Sequence, residues 1–198
     1  WVGVSDRVAE KIIAYSETDE FKTDVLSSSP TLDRARVRIW QTLTCLAPRL
    51  SDPTADILAK ALWLQLCTIH RKSVRLYLEL CSFALLSAHR RHLALLLASL
   101  REQTSASPQV SASLVLVAAY LLTPDNDKLV LSPAECEELV WEVLPWLHHP
   151  HNFVRAIAHQ ATSGYLSHTG VWPGQSAEAQ ASKVMERGGP LLARDMAF

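Results

Sequence analysis

The sequence predicts an all-α fold of antiparallel helix pairs stacked side by side, and three observations predict it. Only 6 of the 198 residues are glycine, whereas 48% are apolar. That leaves ample material for a core and little for turn-dense β structure or glycine-rich phosphate loops. Apolar residues recur at helical spacing in one stretch after another, each closed by a short polar turn, and no alternating strand pattern interrupts them. The dipeptide Val-Arg also returns in a similar setting, as Val37-Arg38, Val74-Arg75 and Val154-Arg155, first 37 and then 80 residues apart. A middle copy is expected near 112–115, where "VSASLVLVAAYLL" keeps the apolar pattern without the arginine. Two helices per unit of about 37–40 residues is the signature of HEAT-type repeats. Each such unit has an apolar face that only a neighbouring unit can cover. The expected architecture is therefore a HEAT/armadillo-like α-solenoid of antiparallel helix pairs.

The elements follow in order. A short helix is expected at 5–16, then a Ser-rich connector ending in "SSSP" (27–30). Residues 33–50 carry Val37, Trp40, Leu43, Thr44 and Ala47 at helical spacing. In "SDP" (51–53), Ser51 or Asp52 caps the next helix and Pro53 takes its first turn. That helix, 54–69, offers Leu58, Leu62 and Cys67 to the core; others are expected at 73–88 and 91–103. "SASP" (105–108) opens a strongly apolar helix through Leu122, and "TPDNDK" (123–128) is a polar loop. Ser132 and Glu135 have capping-box spacing and launch a helix at 133–147. A further helix spans about 151–167, a loop 169–175, and a last helix 176–187. The organisation is thus an N-terminal helix with connector (1–29), helical repeats (30–168), and a loop with a C-terminal helix or tail (169–198) leading to a following segment. The chain begins at Trp1 rather than Met, as expected of a piece of a longer protein.

Charge is unevenly distributed. Residues 30–101 hold 11 Lys and Arg against 4 Asp and Glu, +7; residues 1–29 are at −3 and residues 102–198 at −5. A local field of that sign attracts a polyanion even at a net charge of −1. Cys45, Cys67, Cys81 and Cys136 sit in apolar helical patterns without a C-x-x-C pair and read as reduced core thiols of an intracellular protein. No secretory signal is visible, and "LALLLASL" (93–100) and "SLVLVAAYLL" (113–122) fall short of the about 20 residues a membrane span needs. The expected location is cytoplasmic or nuclear, with no membrane partner.

Four histidines crowd "HHPHNFVRAIAHQA" (148–161). On a helix from about 151, Phe153, Val154, Ile157, Ala158 and Ala161 form the inward stripe, while His151, Arg155 and His159 share another face. A guanidinium between two imidazoles disfavours a cation, and no Asp or Glu lies between 143 and 177 to complete a metal site. The histidines read as surface groups, with phosphate contact second. No nucleophile-elbow, zincin or P-loop pattern is present, and Glu137 and Glu138 read as solvated charges. Trp40, Trp63 and Trp146 read as core anchors. The basic block is the better lead. Arg34 and Arg38 are four apart, as are Arg71 and Arg75, so each pair is expected to face one way. Arg34, Arg36, Arg71, Lys72, Arg90, Arg91, His151 and His159 are the candidate RNA contacts, since the planar guanidinium fork suits phosphate oxygens. Arg38, Arg75 and Arg155 are expected to be largely structural.

Three segments, "RVRIWQTLTCLAPRL" (36–50), "SVRLYLEL" (73–80) and "VLPWLHHPHNFVR" (143–155), resemble in that order the helical region of the eukaryotic tRNA guanosine-2′-O-methyltransferases of the TAR-RNA-binding-protein type. The resemblance covers residues 36–166 loosely. It implies a HEAT-like repeat region upstream of a C-terminal knotted catalytic domain, which binds S-adenosylmethionine and methylates a guanosine 2′-hydroxyl in the tRNA D loop. On that reading this chain is a non-catalytic scaffold with no cofactor of its own, its partners being tRNA and its own catalytic domain or another protein. The other expectation is a HEAT-like adaptor that holds a protein and has no RNA role.

Overall fold

The computed structural model describes residues 2–18, 29–102, 107–123 and 131–169, and these are helical and free of strand. Residues 19–28 of the expected connector, 124–128 of the expected loop at 123–128, 170–175 of that at 169–175, and the expected helix at 176–187 lie outside the described residues. Eight α-helices are described: α1 Val2–Ser16, α2 Pro30–Leu46, α3 Asp52–Leu66, α4 Lys72–Ala88, α5 Leu93–Glu102, α6 Pro108–Leu122, α7 Pro133–Val143 and α8 Asn152–Thr169. Short 3-10 turns follow α2 (Ala47–Arg49), α4 (Arg90–His92) and α7 (Leu144–His148). Among the described residues, no helix is long and apolar enough to cross a membrane. The chain divides into two units, Trp1–Ala98 and Ser99–Phe198, with the division falling inside α5.

Local chemistry explains the helix boundaries. Ser29 Oγ accepts the Leu32 N–H at 3.2 Å, so α2 starts at Pro30, three residues before its apolar stripe becomes evident. It stops before Pro48, and α7 stops at Val143 rather than 147, because Pro145 has no N–H and its ring opposes the preceding turn. Both ends tighten into 3-10 turns instead. Ser132 and Glu135 form the expected capping box: Glu135 Oε2 takes the Ser132 N–H at 2.7 Å and Ser132 Oγ takes the Glu135 N–H at 3.4 Å. At α3, Ser51 holds the cap position and Pro53 the first turn, but the serine hydroxyl caps nothing. Its backbone N–H is instead bound at 2.9 Å by Asp6 of α1.

In the first unit, α2 packs on α4 and α1 on both α2 and α3. Contacts advance together along alternate helices. Asp6 meets Ser51 and Glu10 meets Thr54 (3.2 Å), so α1 runs with α3. Asp33 meets Arg71 and Thr44 meets the Tyr77 carbonyl (3.4 Å), so α2 runs with α4. Leu43, Leu58, Leu62, Leu66, Leu78 and Leu85 are fully enclosed, and Trp40 and Trp63 anchor the core as expected. Each fully buried leucine contributes about 1.5–3 kcal/mol. In the second unit the largest interface is α6 against α8, with α7 and its 3-10 turn packed on α8. Its core holds Leu114, Leu121, Leu139, Trp146, Val154 and Ile157.

The structure corrects three expectations about facing. Phe153 is not part of the inward stripe of α8; it is 60% exposed, while Val154, Ile157, Ala158 and Ala161 are buried. Along α2 and the turn after it, Trp40, Leu43 and Ala47 are buried as expected, Asp33, Arg36 and Ile39 extend the buried stripe, and Val37 and Thr44 are only half-buried. Of the four expected core thiols, Cys81 and Cys136 are buried, whereas Cys67 closes α3 half-buried and Cys45 is exposed on α2.

Candidate nucleic-acid interface

The basic block is built by α2, α3, α4 and the turns between them, all in the first unit. Its geometry sorts the candidate residues into three groups. Arg34 and Lys72 are exposed near the starts of α2 and α4, and Arg38 lies one turn on from Arg34, also exposed. Arg71 is exposed as well, but its Nη1 meets Asp33 Oδ2 at 2.5 Å. Arg36 is a correction: it is 5% exposed, set 3.7 Å from Asp33 Oδ1, and cannot reach a surface phosphate without breaking the α2 interface. Arg71 and Arg75 do not face one way either, because Arg75 is 4% exposed.

The buried guanidinium of Arg75 has a definite task. Its Nη1 donates to the Thr68 carbonyl at 2.8 Å, and its Nε lies 3.8 Å from Glu79 Oε1. It thereby ties the start of α4 to the end of α3. Burial pulls its pKa down to about 10, which still leaves it charged at neutral pH. His70 completes the turn: its Nε2 lies 2.9 Å from the Gln65 carbonyl and 2.8 Å from Thr68 Oγ1. A carbonyl only accepts, so Nε2 carries the proton. Burial pushes the pKa of His70 down to about 4, with Arg75 and Arg36 adding repulsion, so it is neutral at pH 7. Arg36, His70, Trp40, Gln65, Val74 and Ser16 line a small cleft here.

Arg91 lies in the turn after α4, beside the start of α3. It pairs with the Asp52 carboxylate, and its Nη2 donates to the Asp52 carbonyl at 2.5 Å and to Asp56 Oδ1 at 2.7 Å. Bonding to Asp52 raises the pKa of Arg91, and the same contact lowers that of Asp52. His89 and His92 join the group, 3.4 Å from Asp52 and 3.3 Å from Asp56. Arg91 is thus a clamp between turns, and its neighbour Arg90 is exposed. Sequence reasoning missed these acids, although the block contains only four. Asp33, Asp52, Asp56 and Glu79 each meet an arginine. Five further cations, Arg34, Arg38, Arg49, Lys60 and Lys72, are exposed with no acidic partner among the described residues.

The histidine stretch belongs to the second unit. His149 stacks on Trp146, centroids 5.6 Å apart and planes within 18°, and burial lowers its pKa. Its Nδ1 accepts the His151 N–H at 3.1 Å. Arg155 turns back on this loop, its Nη1 donating to the carbonyls of His149 (2.8 Å) and Pro150 (3.0 Å) and its Nη2 to Asn152 Oδ1. This is the task Arg75 performs in the first unit, and Arg38 has no such role, being exposed. His151 and His159 are exposed, with Ser163 Oγ 3.3 Å from His159 Nδ1. Among the described residues, no group of three or more His, Cys, Asp or Glu side chains is arranged to hold a metal ion. Gly3 and Gly164, the glycines among the described residues, both lie inside helices. No family model, curated protein or solved structure matches the chain.

Proposed function

We propose that this chain is a non-catalytic HEAT-like scaffold that holds tRNA for a 2′-O-methyltransferase. The observation that carries the reading is the surplus of exposed cations in the first unit. All four acids of residues 30–101 are engaged by arginines, yet Arg34, Arg38, Arg49, Lys60 and Lys72 stand exposed with no acidic partner among the described residues. Cations in water at that density suit phosphates of an A-form stem, which proteins recognise by shape and backbone rather than sequence. The alternation of helices that run together, α1 with α3 and α2 with α4, supports stacked helix pairs. The tRNA partner and the link to a methyltransferase rest on the sequence resemblance. In that setting the chain supplies positioning, and S-adenosylmethionine belongs to a catalytic domain outside it.

The test is fluorescence anisotropy of the chain with labelled tRNA at low salt. The expected result is measurable binding, weakened at least about tenfold by the combined changes Arg34→Glu, Arg38→Glu and Lys72→Glu. No binding, or binding indifferent to these changes, removes the RNA reading. A protein-interaction adaptor is the second reading, favoured by Val4, Val8 and Tyr15, which make an exposed apolar stripe on α1 at 49, 41 and 51% exposure. It predicts that RNA leaves the chain untouched.

A further inference from the structure

The outer face of α8 has an unusual chemistry for a surface helix. Asn152, Phe153, Ala156, His159 and Gln160 are all exposed, Ser163 half so, and their spacing puts them on one side. Phe153 is 60% exposed. The remaining groups are an imidazole, a hydroxyl and two amides, which form hydrogen bonds without fixed charge, the Asn152 oxygen being already held by Arg155 so that its NH2 is what it offers. The whole of α8 contains no Asp or Glu, in a C-terminal half that carries −5. The small side chain of Ala156 stands between Phe153 and His159 on the helix surface. The face is also held in place: Arg155 binds the carbonyls of His149 and Pro150, and Val154 and Ile157 anchor the helix in the core. Ser163 Oγ lies 3.3 Å from His159 Nδ1, so Nε2 is the ring nitrogen left for another partner.

From this we infer that the outer face of α8 takes an unpaired RNA base, Phe153 stacking on its ring and Asn152, His159 and Gln160 meeting its edge. Unpaired bases are recognised in this way, by an aromatic platform with hydrogen-bonding groups beside it. A protein helix or groove is the poorer occupant, since such partners need apolar anchors at several helical positions and this face has one. The inference rests on the RNA reading and narrows it to single-stranded regions, such as a tRNA loop.

The experiment uses the whole chain with a single-stranded oligoribonucleotide containing 2-aminopurine, and with a matched blunt duplex. The expected results are quenching of the 2-aminopurine on binding and a loss of about tenfold in single-strand affinity on Phe153→Ala. Duplex affinity stays within about twofold, and Phe153→Tyr retains the wild-type values. Phe153 lies outside the core, so the variant keeps its helical circular dichroism. The proposal is overturned if Phe153→Ala leaves single-strand binding unchanged, or if it lowers single-strand and duplex binding alike. A wild-type chain that binds no single strand also overturns it and leaves the α8 face to a protein partner. The two readings fail separately. The Arg34, Arg38 and Lys72 reversals test the basic face through duplex and tRNA affinity, whereas Phe153→Ala tests α8 through the single strand alone.

Discussion

The three Val-Arg arginines look alike in sequence and differ in surroundings. Arg75 is buried between the Thr68 carbonyl and Glu79, Arg155 is half-buried on two loop carbonyls, and Arg38 is exposed. Removing Arg75 strands a buried carboxylate and a carbonyl, which costs about 3–5 kcal/mol. Removing Arg155 loses hydrogen bonds that water partly replaces, about 1 kcal/mol, and removing Arg38 costs under about 0.5 kcal/mol. Urea titration of the three alanine variants is expected to return that order, and an Arg38→Ala variant as unstable as Arg75→Ala contradicts it. His70 makes a second prediction. Its folded pKa, about 4, lies below the ordinary histidine value of 6.5, so protonation favours the unfolded chain. Its contribution is therefore intact above pH 6.5 and is lost as the pH falls from 6.5 towards 4. A His70→Gln variant should lose stability less steeply between about pH 6.5 and 5, by about 1–2 kcal/mol over that window. His92 and His149, whose pKa values burial also lowers, keep the remaining slope from vanishing. Parallel pH profiles for variant and wild type count against this account of His70.

Among the elements, what is legible in sequence is what neighbouring residues decide. The Ser132–Glu135 capping box lies within one turn and forms as expected; Ser132→Ala should lower stability by about 1 kcal/mol, measured by the urea midpoint. The start of α2 is hidden only because its cap, Ser29, precedes the apolar stripe by several residues. The early end of α7 is written in Pro145, but the apolar run around that proline masks it. Contacts across the chain are not legible. Asp6 reaches the start of α3 at Ser51, 45 residues away, and nothing in "SDP" announces that its N–H is bound from α1. Buried polar positions are missed for the same reason. On α2 the apolar spacing finds Trp40, Leu43 and Ala47, but the polar types of Asp33 and Arg36 argue for the surface, and both are buried, 3.7 Å apart. On α8 the aromatic type of Phe153 argues for the core, and the loop closed by Arg155 leaves it outside.

For the whole molecule, the relevant property is charge that is segregated along the chain and then thinned by internal pairing. The sequence count of +7 in residues 30–101 overstates what a ligand meets, because Arg71, Arg75 and Arg91 are held by Asp33, Glu79, Asp52 and Asp56. The all-α class is legible because periodicity is a property of the entire chain, whereas the number of available cations depends on pairings only folding decides. That difference is measurable. Each phosphate contact releases about 0.7–0.9 of a counterion, so the slope of log affinity for tRNA against log salt counts the cations in contact. If Arg34, Arg38 and Lys72 are the contacts, the slope of the wild-type chain is about −2.1 to −2.7, and neutralising Arg34 and Lys72 as Arg34→Gln and Lys72→Gln makes it shallower by about 1.4–1.8. Asp33→Asn is the converse. It weakens the hold on Arg71, and if that side chain then reaches a phosphate the slope steepens by about 0.7–0.9. Arg91→Gln should leave the slope where it was, since its guanidinium is already bound to Asp52 and Asp56. A slope insensitive to Arg34 and Lys72 but reduced by Arg91→Gln requires the Asp52–Asp56 clamp to open on binding, and the phosphate contacts then belong to Arg91 rather than to the ends of α2 and α4.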